Sequence, residues 1–216
     1  MKKRIFLAWI LCFSWNAVFA QTGDFRFESG DLLFQDVDCG ELCDAIEMVT
    51  KSVEGKSFSH VGLVYRDEDS VWVIEASGKD VHLTALAEFL GRSMDGTGRP
   101  KVYVGRLKEA YRTLNREAVA FALAARGLPY DEAFLYDNGA YYCSELIYDA
   151  YLHANGGTPF FRLEPMTFRN PRTGETFPVW KSYYDRLNMN IPEVEPGCNP
   201  GGLSRSERIE IVKRFY

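Results

Sequence analysis

Short apolar runs of strand length, separated by turn residues, fill much of the first half of the chain. They are rich in β-branched and aromatic residues and cover residues 32–34, 59–65, 71–76, 81–84 and 101–107. Runs of this kind with turn residues between them are typical of β-strands. The acidic residues 67–70, between the second and third runs, indicate a hairpin turn. This spacing predicts a small antiparallel sheet or a partial barrel.

Other segments repeat apolar residues at intervals of three and four, the period of an amphipathic α-helix. The pattern predicts helices over residues 41–53, 84–90, 113–126 and from 143 to the glycine pair at 156–157. We expect Asp38 and Thr84 to cap the first two helices, and Gly55 and Gly127 to end the first and the third. Helices packed outside an antiparallel sheet make the expected fold class α+β.

The composition changes at about residue 158. Prolines recur from there onwards and interrupt any long element, while aromatic residues continue through the same stretch. Such a segment is too apolar to be disordered, so we expect it to pack against the domain or to cover a cleft. Residues 206–216 predict an edge strand or a helix. We therefore expect residues 21–216 to form a single domain with a C-terminal extension.

The first twenty residues are typical of a signal peptide. Three basic residues are followed by an apolar run from Ile5 to Trp15, and small residues precede a cleavage site after Ala20. The alternative is an uncleaved anchor, but the run is shorter than the roughly 20 residues that a membrane span needs. We expect a secreted or periplasmic bacterial protein without stable membrane insertion after cleavage.

Charge and composition exclude several classes of function. The chain has 216 residues and a formal net charge of −5, and it shows no basic stripe, which argues against a nucleic-acid partner. The cysteines and histidines lack the paired spacings of zinc sites. No glycine-rich phosphate loop or dinucleotide fingerprint is present. We therefore expect neither a metal nor a cofactor.

Cysteine usage leaves alternatives open. With Cys12 removed, Cys39, Cys43, Cys143 and Cys198 remain in an oxidising compartment. If all four pair, Cys143 is structural. If Cys143 is free, one bridge at most forms among the other three, either between Cys39 and Cys43 or from Cys198 to one of them.

Cys143 is a candidate nucleophile because it lies at or near a predicted helix N-terminus. The unpaired N–H groups and the helix dipole at that position stabilise a thiolate. A base is then needed, and the chain has three histidines. His153 lies nearly three turns along the same helix, too far to serve Cys143. His60 opens a predicted strand at the rim of the sheet, and His82 lies in a strand of mixed polarity.

Five short motifs resemble, in one consistent order, the circularly permuted NlpC-like (papain-like) cysteine hydrolases of the YiiX type. They are Gly30-Asp31, Ser59-His60-Val61-Gly62, Ile74-Glu75-Ala76, Pro129-Tyr130-Asp131 and Tyr142-Cys143-Ser144-Glu145. Unpermuted relatives begin with the cysteine helix, whereas this chain has it after the two strand motifs. The resemblance covers roughly residues 30–154 and implies a permuted papain-like fold.

The resemblance implies roles for three residues. Cys143 would be the nucleophile, and His60 would accept its proton and later protonate the leaving group. Glu75 would orient the imidazole and stabilise the imidazolium. His82 is the second choice for the orienting residue, and a neutral partner such as Asn138 is a third.

Two further residues complete the expected site. The backbone N–H of Cys143 would donate to the oxyanion, and Tyr130 would add a hydroxyl donor near the oxyanion or the substrate. Tyr130 is alternatively a packing residue. Glu145 would bind a cationic group of the substrate, or it would stabilise the N-terminus of its own helix.

The expected function is that of an exported cysteine hydrolase, an amidase or peptidase that cleaves an amide through a thioester. A peptide or a cell-wall-derived amide is the expected substrate. One alternative is acyl transfer or thioester hydrolysis on acyl lipids, because the permuted scaffold is similar to lecithin–retinol acyltransferase-like enzymes. The Tyr-Cys-Ser-Glu context of Cys143 departs from the pattern of those enzymes. The other alternative is a non-catalytic binding module.

Overall fold

A six-stranded antiparallel sheet forms the centre of the protein in the computed structural model, which describes residues 24–216. The predicted signal peptide lies outside the described residues. The strand order in the sheet is β4-β3-β2-β1-β5-β8, and β6 pairs with β7 in a separate two-stranded ladder. The strands are β1 (Leu32–Gln35), β2 (His60–Arg66), β3 (Val71–Ser77), β4 (Asp80–Ala85), β5 (Val102–Leu107), β6 (Glu164–Pro165), β7 (Pro196–Gly197) and β8 (Ile209–Arg214).

Six α-helices accompany the strands in this part of the chain. They are α1 (Glu41–Val49), α2 (Leu86–Gly91), α3 (Asn115–Ala124), α4 (Cys143–Ala154), α5 (Pro178–Leu187) and α6 (Pro200–Ser204). Short 3₁₀ turns cover Val53–Gly55 and Glu109–Leu114. The α+β prediction is confirmed. The edge strands β4 and β8 do not pair with each other, so the sheet does not close into a barrel.

Each face of the sheet is covered by different helices, because side chains alternate along every strand. One face buries Leu32, Leu63 and Ile74 against α3 and α4. The other face buries Val64 and Val73 against Leu86, Phe89 and Leu90 of α2. The two-residue period places His60 and Glu75 on the α2 face, at the end of the sheet where β2 begins.

The structure explains why Gly62 and Asp31, each part of one of the five motifs, occupy their positions. Gly62 lies under Phe89, and a Cβ atom there would lie 2.3 Å from Cγ1 of Val73, so only glycine fits this position. Asp31 is fully buried and accepts a hydrogen bond from Nε of Arg106 at 2.7 Å. Gly62 therefore allows close packing two residues from His60, whereas Asp31 ties β1 to β5 at the other end of these strands.

The C-terminal segment packs on the domain, as expected for its aromatic content. Phe160 and Phe161 join the core on the α4 face. Phe168, Trp180 and Tyr184 form a separate cluster with α1. The last element is the strand β8, which pairs with β5, so the strand alternative for residues 206–216 is confirmed.

Three predictions about the ends of helices were wrong. The first helix ends at Val49, and Gly55 belongs to a later 3₁₀ turn. Asp38 does not cap it, because the Asp38 carboxylate pairs with Lys101 at 2.7 Å. Thr84 lies within β4, where its hydroxyl is a hydrogen-bond donor to Glu75. Across residues 24–216, no helix is long and apolar enough to cross a membrane.

Candidate active site

A cleft of about 170 Å³ opens where the start of α4 meets the start of β2. Cys143 and His60 both line it, so the fold brings together two residues that are 83 positions apart in the chain. The C-terminal segment supplies much of the opposite wall. The apolar residues that line the cleft are Ile46, Val49, Phe134, Met166, Phe168 and Trp180, of which the last three belong to the C-terminal segment.

Cys143 is the first residue of α4, as its sequence context predicts. Tyr142 precedes it in an extended conformation, with φ of −89° and ψ of 167°, and serves as the N-cap residue. The amide of the first helical residue has no acceptor within its own helix. The thiol and this backbone N–H group therefore lie at the positive end of the helix dipole.

The imidazole of His60 is held by Glu75. Its Nε2 atom lies 2.5 Å from Oε2 of Glu75, which leaves Nδ1 for exchange of a proton with Cys143. Burial lowers the pKa of His60, but hydrogen bonding to Cys143 and Glu75, together with their charges, outweighs burial and raises it to about 9. The imidazole is therefore biased towards its protonated form at neutral pH.

Glu75 is fully buried between β3 and α2, and a network of donors surrounds it. Arg92 donates to both carboxylate oxygens, at 2.9 and 2.6 Å, and the hydroxyl of Thr84 donates to Oε1 at 2.5 Å. Burial raises the pKa of Glu75, but the hydrogen bonds from Arg92 and His60 outweigh burial and hold it well below its usual range. Glu75 is thus a carboxylate in the folded protein.

Arg92 and Thr84 are members of this network that the sequence reasoning missed. The contact of Thr84 with Glu75 could have been predicted from the sequence. Thr84 lies two residues beyond His82 in the same strand and therefore shares the sheet face of His82 and Glu75. For Arg92 no such prediction was possible, because it lies between the helix predicted over residues 84–90 and the strand predicted over residues 101–107.

The alternative partners of His60 lie elsewhere. Nδ1 of His82 lies 3.0 Å from the carbonyl oxygen of Asp80, and its Nε2 is 3.9 Å from Oε1 of Glu75, on the side away from His60. The Asn138 side chain accepts a hydrogen bond from the amide of Ala140. Of the three candidates, only Glu75 is bonded to the imidazole.

Tyr130 lines the same cleft as Cys143 and His60. Its hydroxyl makes no hydrogen bond to another residue of the described chain, so it is available to a ligand. Burial, followed by the negative charge of a nearby Cys143 thiolate, raises the pKa of Tyr130 well above its usual value. The hydroxyl therefore keeps its proton and is a donor at neutral pH.

Of the two roles expected for Glu145, contact with a cationic group of the substrate was wrong, because Glu145 does not line the cleft. Its side chain is fully buried, and Oε1 accepts a hydrogen bond from the amide of Asp137 at 2.9 Å. Burial, together with the nearby carboxylates Asp131 and Asp149, outweighs the hydrogen bonds from backbone amides and raises the pKa of Glu145 to about 8. Glu145 therefore lies in the first turn of α4, with its side chain buried outside the cleft.

The cysteine alternatives are resolved by the structure. Cys39 and Cys43 form a disulfide, whereas Cys143 and Cys198 are free thiols. The fully paired arrangement that would have made Cys143 structural is therefore wrong. Burial raises the pKa of Cys198 far above its usual range, so Cys198 stays a neutral thiol.

Both neighbours of Cys143 in the chain hold the C-terminal segment through Cys198. The hydroxyl of Tyr142 accepts a hydrogen bond from the Cys198 amide at 3.1 Å. The hydroxyl of Ser144 donates to the Cys198 carbonyl at 3.0 Å. This pair of contacts fixes the wall of the cleft to the start of α4.

Comparison with known proteins shows the family of this chain. The sequence profile of the permuted papain-like amidase enzymes, the YaeF/YiiX, C92 family, matches residues 26–213. The chain belongs to this family. The family is one of papain-like cysteine amidases and peptidases, so the protein is a cysteine hydrolase of the permuted papain-like amidase class. The match continues to residue 213, well beyond residues 30–154 on which the resemblance rested.

Two known proteins are similar to this permuted papain-like amidase. The protein YiiX of Escherichia coli K12 is 26% identical over 193 residues, which cover 88% of this chain and 87% of the relative. The crystal structure of yiiX from Escherichia coli O157:H7, described as a metalloprotein, superimposes with a TM-score of 0.70 at 22% identity. The superposition covers 88% of this chain and 98% of the yiiX chain, so the two proteins share a fold.

The donor groups needed for a metal site do not come together in the described part of this amidase. Within residues 24–216, no three side chains among the histidines, cysteines, aspartates and glutamates are grouped so that they could hold a metal ion. The cleft instead brings together a thiol, an imidazole and a tyrosine hydroxyl. These residues are suited to nucleophilic and acid–base chemistry.

Proposed function

We propose that this family member is an exported amidase in which Cys143 is the nucleophile and His60 is the general base and acid. The observation that carries the proposal is the position of the imidazole. It shares a cleft with Cys143, and Glu75 holds its other ring nitrogen at 2.5 Å. A nucleophile, a base and a group that orients the base form the arrangement expected of covalent catalysis.

The reaction begins when the sulfur of Cys143 attacks the carbonyl carbon of the amide. The thiol proton has passed to Nδ1 of His60, and the carbonyl oxygen becomes an oxyanion. The C–N bond then breaks, and the imidazolium gives its proton to the departing amine. Water, activated by the neutral imidazole, attacks the thioester, and the acid product leaves as the thiol forms again.

Charge development in these steps is matched by groups around the cleft. The carboxylate of Glu75 stabilises the imidazolium and keeps its ring in the orientation that serves Cys143. The backbone N–H of Cys143 and the hydroxyl of Tyr130 are the donors for the oxyanion. All of these groups are positioned before substrate binds, so little reorganisation is needed in the transition state.

The proposed substrate is a peptide or a cell-wall-derived amide outside the cytoplasm. Export rests on the signal-like residues 1–20 and is supported by the disulfide between Cys39 and Cys43, a bond typical of oxidising compartments. The apolar walls of the cleft, among them Met166 and Trp180, suit an apolar group next to the scissile bond.

The same apolar walls favour a second candidate, the transfer or hydrolysis of an acyl group from a lipid thioester or ester. In that reaction Cys143 and His60 keep their roles, and the leaving group is a thiol or an alcohol. Matched amide and ester substrates with the same acyl group distinguish the candidates. Turnover of the ester without any turnover of the matched amide would favour the second candidate.

The roles of Cys143 and His60 are tested by alkylation of the protein purified without reductant. Iodoacetamide should label Cys143 rapidly at neutral pH, as located by mass spectrometry, and His60→Ala should slow the labelling at least about tenfold. Cys198 serves as the internal control, because the raised pKa of its thiol keeps it protonated at neutral pH. Equal labelling of Cys143 with and without His60 would contradict the proposed pair.

A further inference from the structure

A second and larger recess lies beside the cleft of Cys143. Its volume is about 980 Å³, at the upper end of the range for ligand sites. Glu164, Cys198 and Asn199 contribute to the walls of both recesses, so the two lie side by side and share these residues. We call the larger one the basic groove, after the four cations that line it, which are Lys108, Arg162, Arg205 and Arg208.

The basic groove departs from the overall charge of the protein. Two carboxylates, Glu164 and Glu207, also line it, so four cations against two acids leave an excess of two positive charges. The whole chain carries a formal charge of −5. A concave wall of one sign concentrates its field and attracts ligands of the opposite sign.

The four cations have no carboxylate within ion-pair distance among residues 24–216. Other arginines of that region do, including Arg92 with Glu75, Arg106 with Asp31 and Arg214 with Glu54. None of the four cations is therefore paired directly with a carboxylate of the described chain, and the groove keeps its excess of two positive charges.

Neutral groups hold two of the groove arginines in place. Nε of Arg205 donates to the carbonyl of Lys51 at 2.8 Å. The guanidinium of Arg208 donates to the carbonyl of Phe160 and lies 4.6 Å from the centroid of its ring. A guanidinium carries five N–H donors, so each arginine keeps several for a ligand. These contacts orient the two groups without neutralising them.

We propose that the basic groove binds a carboxylate-bearing part of the amide that reacts at Cys143, so that the substrate is an acidic peptide-like amide. The proposal deepens the proposed function and rests on it for the role of Cys143. A soluble acidic ligand suits the site better than a membrane surface does. The site is a recess, and none of the large exposed apolar residues of the described chain lines it; these are Met48, Leu128, Met189 and Val194.

Binding can be tested separately from catalysis in a Cys143→Ala background. The probes are two C-terminally amidated tetrapeptides, Ala-Ala-Asp-Asp and its counterpart without carboxylates, Ala-Ala-Asn-Asn, each with the same uncharged BODIPY label at the N-terminus, followed by fluorescence anisotropy at low salt. We expect the acidic peptide to bind at least about tenfold more tightly, as charge-assisted hydrogen bonds imply. The double variant Arg162→Glu with Arg205→Glu should abolish the preference.

The matched control makes the same change of charge outside the basic groove. Arg126 and Arg172 are exposed and form no ion pair among the described residues, so Arg126→Glu with Arg172→Glu should keep the affinity within about twofold. If the groove double variant does not fold, the single change Arg162→Glu gives the same readout, because the Arg162 side chain bonds to no described residue.

Three results would overturn the proposal. They are equal affinity for the two peptides, an equal loss of affinity in the control variant, and arginine-dependent binding of phosphatidylglycerol vesicles without binding of the acidic peptide. The last result would assign the groove to lipid headgroups. A protein that binds the acidic peptide as expected but never becomes alkylated at Cys143 would contradict the catalytic roles alone.

Discussion

The guanidinium of Arg92 holds the carboxylate of Glu75 by both oxygens, at 2.9 Å to Oε2 and 2.6 Å to Oε1. His60 contacts the same Oε2 atom at 2.5 Å. The carboxylate therefore cannot turn away from the imidazole without losing part of a bidentate ion pair. We infer that Arg92 is a positioning residue that acts on His60 through Glu75.

Replacing Arg92 should test this positioning role. Arg92→Met should lower kcat about tenfold with little change in KM, because the substrate contacts remain while the imidazole loses its fixed orientation. Arg92→Lys keeps the charge but not the paired geometry, so it should give an intermediate kcat. Arg99→Met, which removes an exposed pair with Asp95, is the control. A change confined to KM would contradict the role.

Replacing Glu75 should affect both stability and the pH profile. Glu75→Gln leaves Arg92 without a counter-charge in a buried network, which should cost about 3 kcal/mol of unfolding free energy at pH 7. The pKa of Glu75 is held below its usual value of 4.5, so the wild-type advantage is present above that pH and is lost as the pH falls below it. Urea denaturation of both proteins at pH 7 and pH 3 measures this difference.

The protonation of His60 should set the upper pH limit of activity. Amide hydrolysis should fall as the pH rises through about 9, because the imidazolium that protonates the departing amine is then lost. The stability that His60 contributes is complete below its usual value of 6.5 and is lost over the same rise. In Glu75→Gln the fall in kcat/KM should move to lower pH, and an unchanged profile would contradict the coupling.

Removing the hydroxyl of Tyr130 should affect catalysis without unfolding the protein. Tyr130→Phe should lower kcat roughly 100-fold if the hydroxyl donates to the oxyanion. The fold should be unaffected, because the hydroxyl bonds to no other described residue and the ring is retained. An unchanged kcat would support the alternative that Tyr130 is a packing residue. The thermal melting temperature of the variant provides the structural control.

Neutralising Glu145 should stabilise the protein at alkaline pH. The pKa of Glu145 is raised from 4.5 to about 8, so wild-type stability falls as the pH rises through this window, because the folded state resists losing the proton. Glu145→Gln keeps an acceptor for the Asp137 amide and has no charge to bury. Its Tm should exceed that of the wild type by about 3 °C or more at pH 8, with little difference at pH 4.

The same substitution also tests the corrected role of Glu145. Because the side chain does not reach the cleft, KM for cationic amide substrates should stay within about twofold of the wild-type value. A large rise in KM for cationic substrates alone would restore the substrate-binding role that the sequence suggested.

Much of this protein can be predicted from local sequence. The strands of the sheet and the helix that begins at Cys143 follow from periodicity, because the period of burial is built into each element. The pairing of Cys143 with His60 and Glu75 follows from five motifs in a fixed order. Helix ends were predicted less well, since Asp38 and Thr84 are capping residue types that tertiary partners recruit for other bonds.

Only the tertiary structure decided how those residues are held. Choosing Glu75 over His82 depends on distances across two strands, and Arg92 reaches Glu75 only because α2 packs on that face of the sheet. The cleft wall comes from a segment anchored through Cys198, which is 55 residues from Cys143 in the chain. Periodicity reports which face of an element is buried, whereas contacts between distant segments depend on how those faces pack, and no local pattern encodes that.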